Sequence, residues 1–147
     1  MTEIKNLLIH LSAEQAEELC FKNFDIKGKA TPLPGELDHN FKIETENSGG
    51  YILKINRPGT DPDYLDYQEK LLLHIQNKKP GIKFPRLIQT TSGQYSFTFI
   101  DAGNQTRSVR LLEWIPGRLW SVVNPQPAEL RYSLGEVCGE ITCLLQD

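Results

Sequence analysis

Apolar and polar positions recur with two different periods along the chain, and these periods predict a helix near each end. A first helix is predicted from about Ala13 to Cys20, because Ser12 and Gln15 have the spacing of a capping box, in which each side chain accepts a hydrogen bond from the other residue's backbone N–H. A last helix is predicted from about Pro127 onward. Its large apolar residues alternate at spacings of four and three, as in an amphipathic helix; they are Leu130, Leu134, Val137, Ile141 and Leu144.

Short alternating segments between these helices predict antiparallel strands. Strands are predicted at 29–34, 41–46 and 51–56, and again at 86–91, 94–100 and 106–115. The segments that separate them are rich in Gly, Asn, Asp and Ser, which are turn residues. Successive strands of each group are therefore expected to pair as hairpins.

A middle helix is predicted between the two groups of strands, ending at Asn77. It begins at Asp61 and Pro62, because aspartate is a good N-cap and proline suits the first helical position. Pro80 and Gly81 follow its end. The order of elements predicts an α+β domain, with a five- or six-stranded antiparallel sheet, a helix packed on it, and one helix at each end.

Size and charge limit the possible functions. A chain of 147 residues fits one compact domain. A net charge of −3 with mixed signs argues against nucleic acid and against an anionic membrane surface as partners. The polar start, Thr2 and Glu3, is unlike a signal peptide, so we expect a cytoplasmic protein. Cys20, Cys138 and Cys143 have no metal-ligand spacing and are expected to be buried thiols.

The strongest chemical signal combines Lys54 on a strand with Glu69 on the middle helix. Lys54 shares its strand face with Ile52, and Glu69 falls within the apolar stripe formed by Leu65 and Leu72. A carboxylate on a buried face is unfavourable unless it is paired, so we expect Lys54 and Glu69 to approach within ion-pair distance, or at least to face each other across the sheet-to-helix interface. The alternative is that both are exposed, Lys54 at a strand edge and Glu69 at the margin of the stripe.

Three segments resemble the aminoglycoside phosphotransferase and choline kinase superfamily; they are Leu33 to Phe41, Tyr51 to Ile55 and Val109 to Arg118. Within that superfamily the chain is most similar to hydroxylysine-kinase-type proteins. It also resembles the kinase-like N-terminal region of multidomain proteins that carry a class III aminotransferase. The likeness covers roughly residues 12–147, the first half of such a kinase domain.

The resemblance implies a protein-kinase-like N-terminal lobe at about 12–112, a hinge at 113–118 and the start of a second lobe at 119–147. No Gly, Asn or Pro follows Leu144 to end the last helix. We therefore expect the natural polypeptide to continue. In this chain the apolar stripe of that helix is expected to pack back on the sheet, to pair with another copy or to fray, and a twofold homodimer is the preferred outcome.

The resemblance also implies a site for the phosphates of ATP. Lys54 would contact the α- and β-phosphates, with Glu69 orienting it. The loop between the first two strands would cover the phosphates; it consists of Gly35, Glu36, Leu37, Asp38 and His39. This segment holds one glycine, so a plain hairpin turn is an equally good interpretation.

Adenine would be held at the hinge. The carbonyl of Glu113 and the N–H of Ile115 would pair with the edge of the base. Because backbone groups make these contacts, side-chain identity tests them poorly. The alternative is that this segment is simply the end of a strand.

The family's chemistry requires an aspartate in a loop of the form His-x-Asp-x-x-x-x-Asn and a further aspartate on Mg²⁺. This pattern does not occur in the sequence. We therefore expect no catalytic residue and no metal ligand in this chain, which alone should be inactive. ATP with Mg²⁺ is the expected cofactor of the complete protein, and pyridoxal phosphate (PLP) is expected only if an aminotransferase domain follows.

The predicted function is that of the nucleotide-binding lobe of an ATP-dependent phosphotransferase. The complete enzyme would phosphorylate a hydroxyl of a small, amine-bearing metabolite that is held mainly by the second lobe. One alternative is a non-catalytic pseudokinase or docking module of a multidomain protein, including one with a PLP-dependent aminotransferase domain. The other is an unrelated α+β domain in which Lys54 and Glu69 occur by chance.

Overall fold

A computed structural model of the chain describes residues 11–35, 37–46, 49–78 and 80–146. Its elements in chain order are α1 (Ala13–Phe24), β1 (Lys29–Leu33), β2 (His39–Glu44), β3 (Gly50–Ile55), α2 (Pro62–Asn77), β4 (Leu87–Ile88), β5 (Ser96–Ile100), β6 (Thr106–Glu113) and α3 (Ala128–Leu145). A short 3₁₀ helix, Trp120–Val122, precedes α3. The predicted α+β architecture is confirmed.

The strands form one antiparallel sheet in the order β1-β2-β3-β6-β4, and β5 pairs with the same edge of β6 as β4. The hairpins β1–β2, β2–β3 and β5–β6 form as predicted. The predicted hairpin between β4 and β5 is wrong. β6 has eight residues, so it is long enough to pair with β5 along its first part and with β4 near its end.

Helix α1 covers one face of the sheet and forms the hydrophobic core. Its predicted capping box is present, with Ser12 Oγ accepting from the Gln15 N–H at 3.2 Å and Gln15 Oε1 accepting from the Ser12 N–H at 2.9 Å. The helix runs one turn past its predicted end because Phe24 packs edge-on against Phe97 of β5, with ring centroids 5.9 Å apart. The main buried residues are Ala16, Cys20, Phe24, Phe41, Ile43, Leu53, Ile55, Val109 and Leu111.

Helix α2 lies on the opposite face, against residues that alternate with the core positions of the strands. It begins as predicted, with Asp61 Oδ1 accepting from the Asp63 N–H at 3.0 Å and Pro62 as the first helical residue. Among its residues, Ile75 alone is buried. Its sheet-facing side is therefore not a continuous apolar core.

Helix α3 returns to the C-terminal end of α2. The Leu144 carbonyl accepts from Lys78 Nζ at 2.9 Å and lies 3.1 Å from His74 Nε2. Glu140 Oε1 accepts from the Gly81 N–H at 2.9 Å. These contacts hold the C-terminal part of α3 against the end of α2 and the segment that follows it.

The apolar stripe of α3 is only partly covered. Leu130, Val137 and Leu144 are half-buried, whereas Leu134 and Ile141 are 45% and 38% exposed. Cys138 and Cys143 on this helix are also exposed, so the prediction of buried thiols is right for Cys20 and wrong for these two. None of the described helices is long and apolar enough to cross a membrane.

Candidate functional site

A row of polar residues crosses the face of the sheet that α2 covers. It runs from β2 through β3 and β6 to β5, and each member lies directly opposite the next in the strand register. Directly opposed residues of an antiparallel pair project from the same face, so the whole row points toward α2. We call this set the polar row; it consists of Asn40, Lys54, Arg110 and Ser96.

Lys54 is held by a carboxylate of the β1–β2 loop. Its Nζ lies 3.0 Å from Asp38 Oδ2. The same oxygen accepts from Asn56 Nδ2 at 3.1 Å, and Asp38 Oδ1 accepts from the Arg57 N–H at 3.0 Å. The loop is therefore tied to the end of β3.

These contacts keep Asp38 ionised. Burial by itself would raise the pKa of Asp38. The hydrogen bonds from Arg57, Lys54 and Asn56, together with the charge of Lys54, outweigh burial and hold this pKa below its usual value. Lys54 and Asp38 therefore form a charged pair at neutral pH, with side chains 31% and 22% exposed.

Gly35 lets the loop turn tightly in front of Lys54. A Cβ at this position would lie 2.6 Å from the Asp38 carbonyl oxygen and 2.9 Å from Asn40 Nδ2, closer than real side chains approach. Gly35, Leu37, Asp38 and Lys54 all line one cavity of about 750 Å³. The structure thus brings these four predicted site residues together.

His39, another member of the predicted loop, does not extend this group. It begins β2 and lies opposite Ile55 in the register, which puts it on the other face of the sheet from Lys54. Glu36 lies outside the described residues. The described part of the candidate site therefore stops at Asp38 on this side.

Arg110 is a buried cation beside Lys54. It is 6% exposed, and its Nη2 donates a hydrogen bond to Gln68 Oε1 of α2. Its Nε has no hydrogen-bond partner in the described part of the chain. Burial lowers the pKa of Arg110, and the negative charges of Asp38 and Glu69 act in the opposite direction.

Lys54 and Glu69 both face the interface between the sheet and α2, as predicted, but Lys54 forms no ion pair with Glu69. Glu69 Oε2 instead accepts from Ser96 Oγ at 2.8 Å. Ser96 is two strands away from Lys54 in the polar row, about 10 Å at the usual strand spacing, and Arg110 occupies the position between them. Periodicity correctly placed Glu69 on the sheet-facing side of α2 but could not show which strand lies beneath it.

The predicted hinge follows β6. The Glu113 N–H donates to the Arg86 carbonyl and the Trp114 N–H to the Gly50 carbonyl, each at 2.9 Å. No described residue accepts a hydrogen bond from the Ile115 N–H, and Ile115 is 38% exposed. Glu113 and Ile115 line a cleft of about 610 Å³ that does not include Lys54. The hinge and the Lys54 group therefore line separate cavities.

The arrangement around Lys54 can bind and orient an anionic group. An ammonium, a side-chain amide and a backbone N–H converge on the Asp38 carboxylate, and such donors suit any anionic oxygen. No group of three or more His, Cys, Asp or Glu able to hold a metal occurs among the described residues. The sequence interpretation missed Asn56 and Arg110, although a charge inside the apolar run from Val109 to Leu112 was a signal of a buried polar contact.

Comparison with protein families supports this architecture. The model of the Phosphotransferase enzyme family (APH) matches residues 29–147, most of the chain. The chain belongs to the phosphotransferase enzyme family. The predicted family is thus confirmed. A comparison of this phosphotransferase-family chain with curated proteins finds no match.

Two solved structures are similar to this member of the phosphotransferase family. The amicoumacin kinase hAmiN in complex with AMP-PNP, Ca²⁺ and Ami is 19% identical, with a TM-score of 0.65 over 97% of this chain and 38% of that chain. The microcompartment-associated aminopropanol kinase is 15% identical, with a TM-score of 0.56 over 71% of this chain and 32% of that chain. These likenesses confirm the predicted kinase-like N-terminal lobe fold, and the matched region is less than two fifths of either kinase.

Proposed function

We propose that this chain is the nucleotide-binding lobe of an ATP-dependent kinase that phosphorylates a hydroxyl of a small, amine-bearing metabolite. In this proposal residues 12–112 form the lobe, 113–118 the hinge and 119–147 the start of a second lobe. The small share of each similar kinase that the chain covers, 38% and 32%, supports a further lobe in the complete protein. That lobe would hold the acceptor and the metal.

The surroundings of Lys54 carry the proposal. Lys54 Nζ, Asn56 Nδ2 and the Arg57 N–H all lie within 3.1 Å of a carboxylate oxygen of Asp38. Phosphate oxygens are also anionic acceptors, and they make the same charge-assisted hydrogen bonds. Lys54 is therefore proposed to bind the α- and β-phosphates of ATP, beneath the loop that begins at Gly35.

Adenine is proposed to pair with the hinge. The Ile115 N–H is a donor without an acceptor among the described residues, and the Glu113 carbonyl is the proposed acceptor. Glu113 lies opposite Tyr51, which is three residues from Lys54 on β3. The two ends of the proposed site are thus about 10 Å apart along the strand, a gap that an extended nucleotide can bridge.

The acceptor and cofactors are proposed by likeness to the two kinases. One was solved with AMP-PNP and Ca²⁺, and the other is named for aminopropanol, an amino alcohol. We propose ATP with Mg²⁺, and a hydroxylysine-like compound or amino alcohol as acceptor, for the complete protein in the cytoplasm. PLP would enter only with an attached aminotransferase domain.

Binding of ATP to the chain tests this proposal, measured by titration calorimetry. Lys54→Ala should weaken binding at least about tenfold, because a hydrogen bond to a charged group contributes roughly 1.5–3 kcal/mol. Lys70→Ala is the matched control, since Lys70 is 74% exposed and bonds to Asp66 on the outer side of α2. Equal binding by wild type and Lys54→Ala, or no binding of ATP by the wild type, would contradict the proposal.

One observation favours a second candidate function. In active protein kinases the strand lysine and the helix glutamate form an ion pair. Here Lys54 bonds to Asp38 and Glu69 to Ser96. A non-catalytic pseudokinase or docking module would keep the lobe without that pair. A complete protein that binds ATP and transfers no phosphate to any amino alcohol would support this second candidate.

A further inference from the structure

The Asp38 carboxylate occupies an anion site whose donors lie on β3 and directly after it. We propose that Asp38 is an internal competitor of the nucleotide, so that its carboxylate and a phosphate group contend for the same donors around Lys54. This inference rests on the proposed function for the identity of the ligand, a nucleoside polyphosphate.

The donors form a compact set on one short segment. Lys54 lies in β3, and Asn56 and Arg57 follow directly after that strand. They contribute an ammonium, an amide and a backbone N–H at 3.0, 3.1 and 3.0 Å from the carboxylate oxygens. This combination of fixed donors is one that proteins use to bind oxyanions.

One donor beside the site is not used by Asp38. Asp38 has two oxygens, which already accept three hydrogen bonds. Arg110 stands next to Lys54 in the polar row, is influenced by the charge of Asp38, and keeps its Nε without a partner among the described residues. The α- and β-phosphates together carry four non-bridging oxygens and more negative charge than one carboxylate, so they can also accept from this additional donor.

The competitor is carried by a loop, whereas the donors are fixed. Asn56 is 3% exposed, and its backbone N–H bonds to the Ser108 carbonyl of β6 at 2.9 Å. Leu37, next to Asp38, is 59% exposed and gives the loop no apolar anchor. Asp38 is therefore held mainly by these polar contacts, whereas Asn56 is fixed by the packing and backbone of the sheet.

The variant Asp38→Asn tests this competition. It keeps the shape and an oxygen for the Arg57 N–H, but it removes the charge that holds Lys54. ATP should bind about three- to tenfold more tightly to Asp38→Asn than to the wild type, because a partly exposed ion pair no longer has to be broken. The gain should disappear when Lys54→Ala is added. Glu44→Gln is the matched control, because it also removes a carboxylate charge from an exposed ion pair, that of Glu44 with Lys42 at the far end of β2.

The outcomes separate this inference from the proposed function. If the wild type binds ATP through Lys54, and Asp38→Asn binds it equally or less tightly, the competition is wrong and the proposed function stands. If ATP binds neither protein, the proposed function fails, and inorganic tripolyphosphate becomes the probe. Tighter binding of tripolyphosphate by Asp38→Asn then supports the anion site, and equal binding overturns it. Should Asp38→Asn fail to fold, Asp38→Ser gives the same comparison, since its hydroxyl can also accept from Arg57.

Discussion

The most deeply buried ion pair among the described residues lies away from the candidate site, where β5 turns into β6. Arg107 Nε donates to Asp101 Oδ2 at 2.6 Å, and both side chains are fully buried. Asp101 Oδ1 also accepts from the N–H groups of Gly103 and Gln105, at 2.9 and 3.0 Å. One carboxylate thus neutralises a buried cation and fixes the turn.

Replacing this carboxylate should destabilise the lobe strongly. Asp101→Asn should lower the free energy of unfolding by about 3 kcal/mol at neutral pH, because Arg107 would remain buried without a counter-charge. Urea denaturation measures this loss. The exposed pair of Lys70 and Asp66 supplies the control, since Asp66→Asn should cost at most about 1 kcal/mol. A loss as small as the control's for Asp101→Asn would mean that solvent reaches Arg107.

The difference in free energy of unfolding between the wild type and Asp101→Asn should depend on pH. Burial would raise the pKa of Asp101, but the hydrogen bond from Arg107 and those from Gln105 and Gly103 hold it below its ordinary value. A depressed pKa stabilises the folded state above the unfolded pKa of about 3.9, and this stability is lost as the pH falls through the folded pKa. The gap between wild type and Asp101→Asn should therefore be constant down to about pH 5 and shrink below about pH 4.

At the scale of single elements, helix α2 is attached to the sheet by polar side chains as well as by apolar ones, of which Ile75 alone is buried. Gln68 bonds to Arg110, Glu69 bonds to Ser96, and Gln76 Oε1 accepts from the Leu87 N–H at 3.1 Å. Each of these helix residues faces a different strand of the sheet. These three polar contacts therefore help to determine where α2 lies on the sheet.

A double-mutant cycle tests this attachment. Gln68→Ala and Arg110→Met should show a coupling of about 1.5–3 kcal/mol in the free energy of unfolding, as expected for a hydrogen bond to a charged group. Lys54→Ala and Glu69→Ala should show a coupling near zero, because the two side chains bond to other residues. A larger coupling for Lys54 and Glu69 than for Gln68 and Arg110 would indicate that Lys54 and Glu69 form an ion pair after all.

Local signals predicted most elements, and long-range pairing explains the failures. The capping box of Ser12 and the Asp61-Pro62 start depend on neighbours in sequence, and both are present. The partner of Glu69 depends on β6 lying beside β3, which no local pattern contains. The sequence indicated that Lys54 and Glu69 point into one interface, but not that Arg110 would stand between them.

At the scale of the whole molecule, the incompletely covered stripe of α3 should drive self-association. Burying Leu134 and Ile141 against a second copy would contribute about 1.5–3 kcal/mol for each side chain that becomes fully buried. The chain is expected to form a concentration-dependent dimer in sedimentation equilibrium, and Leu134→Glu with Ile141→Glu should abolish it.

Tyr132→Glu is the matched control for that experiment. Tyr132 is 72% exposed and lies on α3 away from the stripe, so its replacement should leave the dimer intact. A wild-type chain that remains monomeric at every concentration would contradict the prediction. In the proposed complete kinase the second lobe would cover the same stripe, and the dimer is therefore a prediction for this chain.

The two faces of the sheet should also differ in how readily they open. The α1 face is closed by tightly packed apolar side chains such as Leu53 and Val109, which must all separate together. The α2 face has fewer buried apolar side chains, with Ile75 alone on the helix, and it is closed in part by individual hydrogen bonds that water can replace one at a time. Local unfolding should therefore begin at α2, and amide protons of this helix should exchange with solvent well before those of α1 and β3. The lobe thus combines a rigid half with a half that can rearrange without global unfolding.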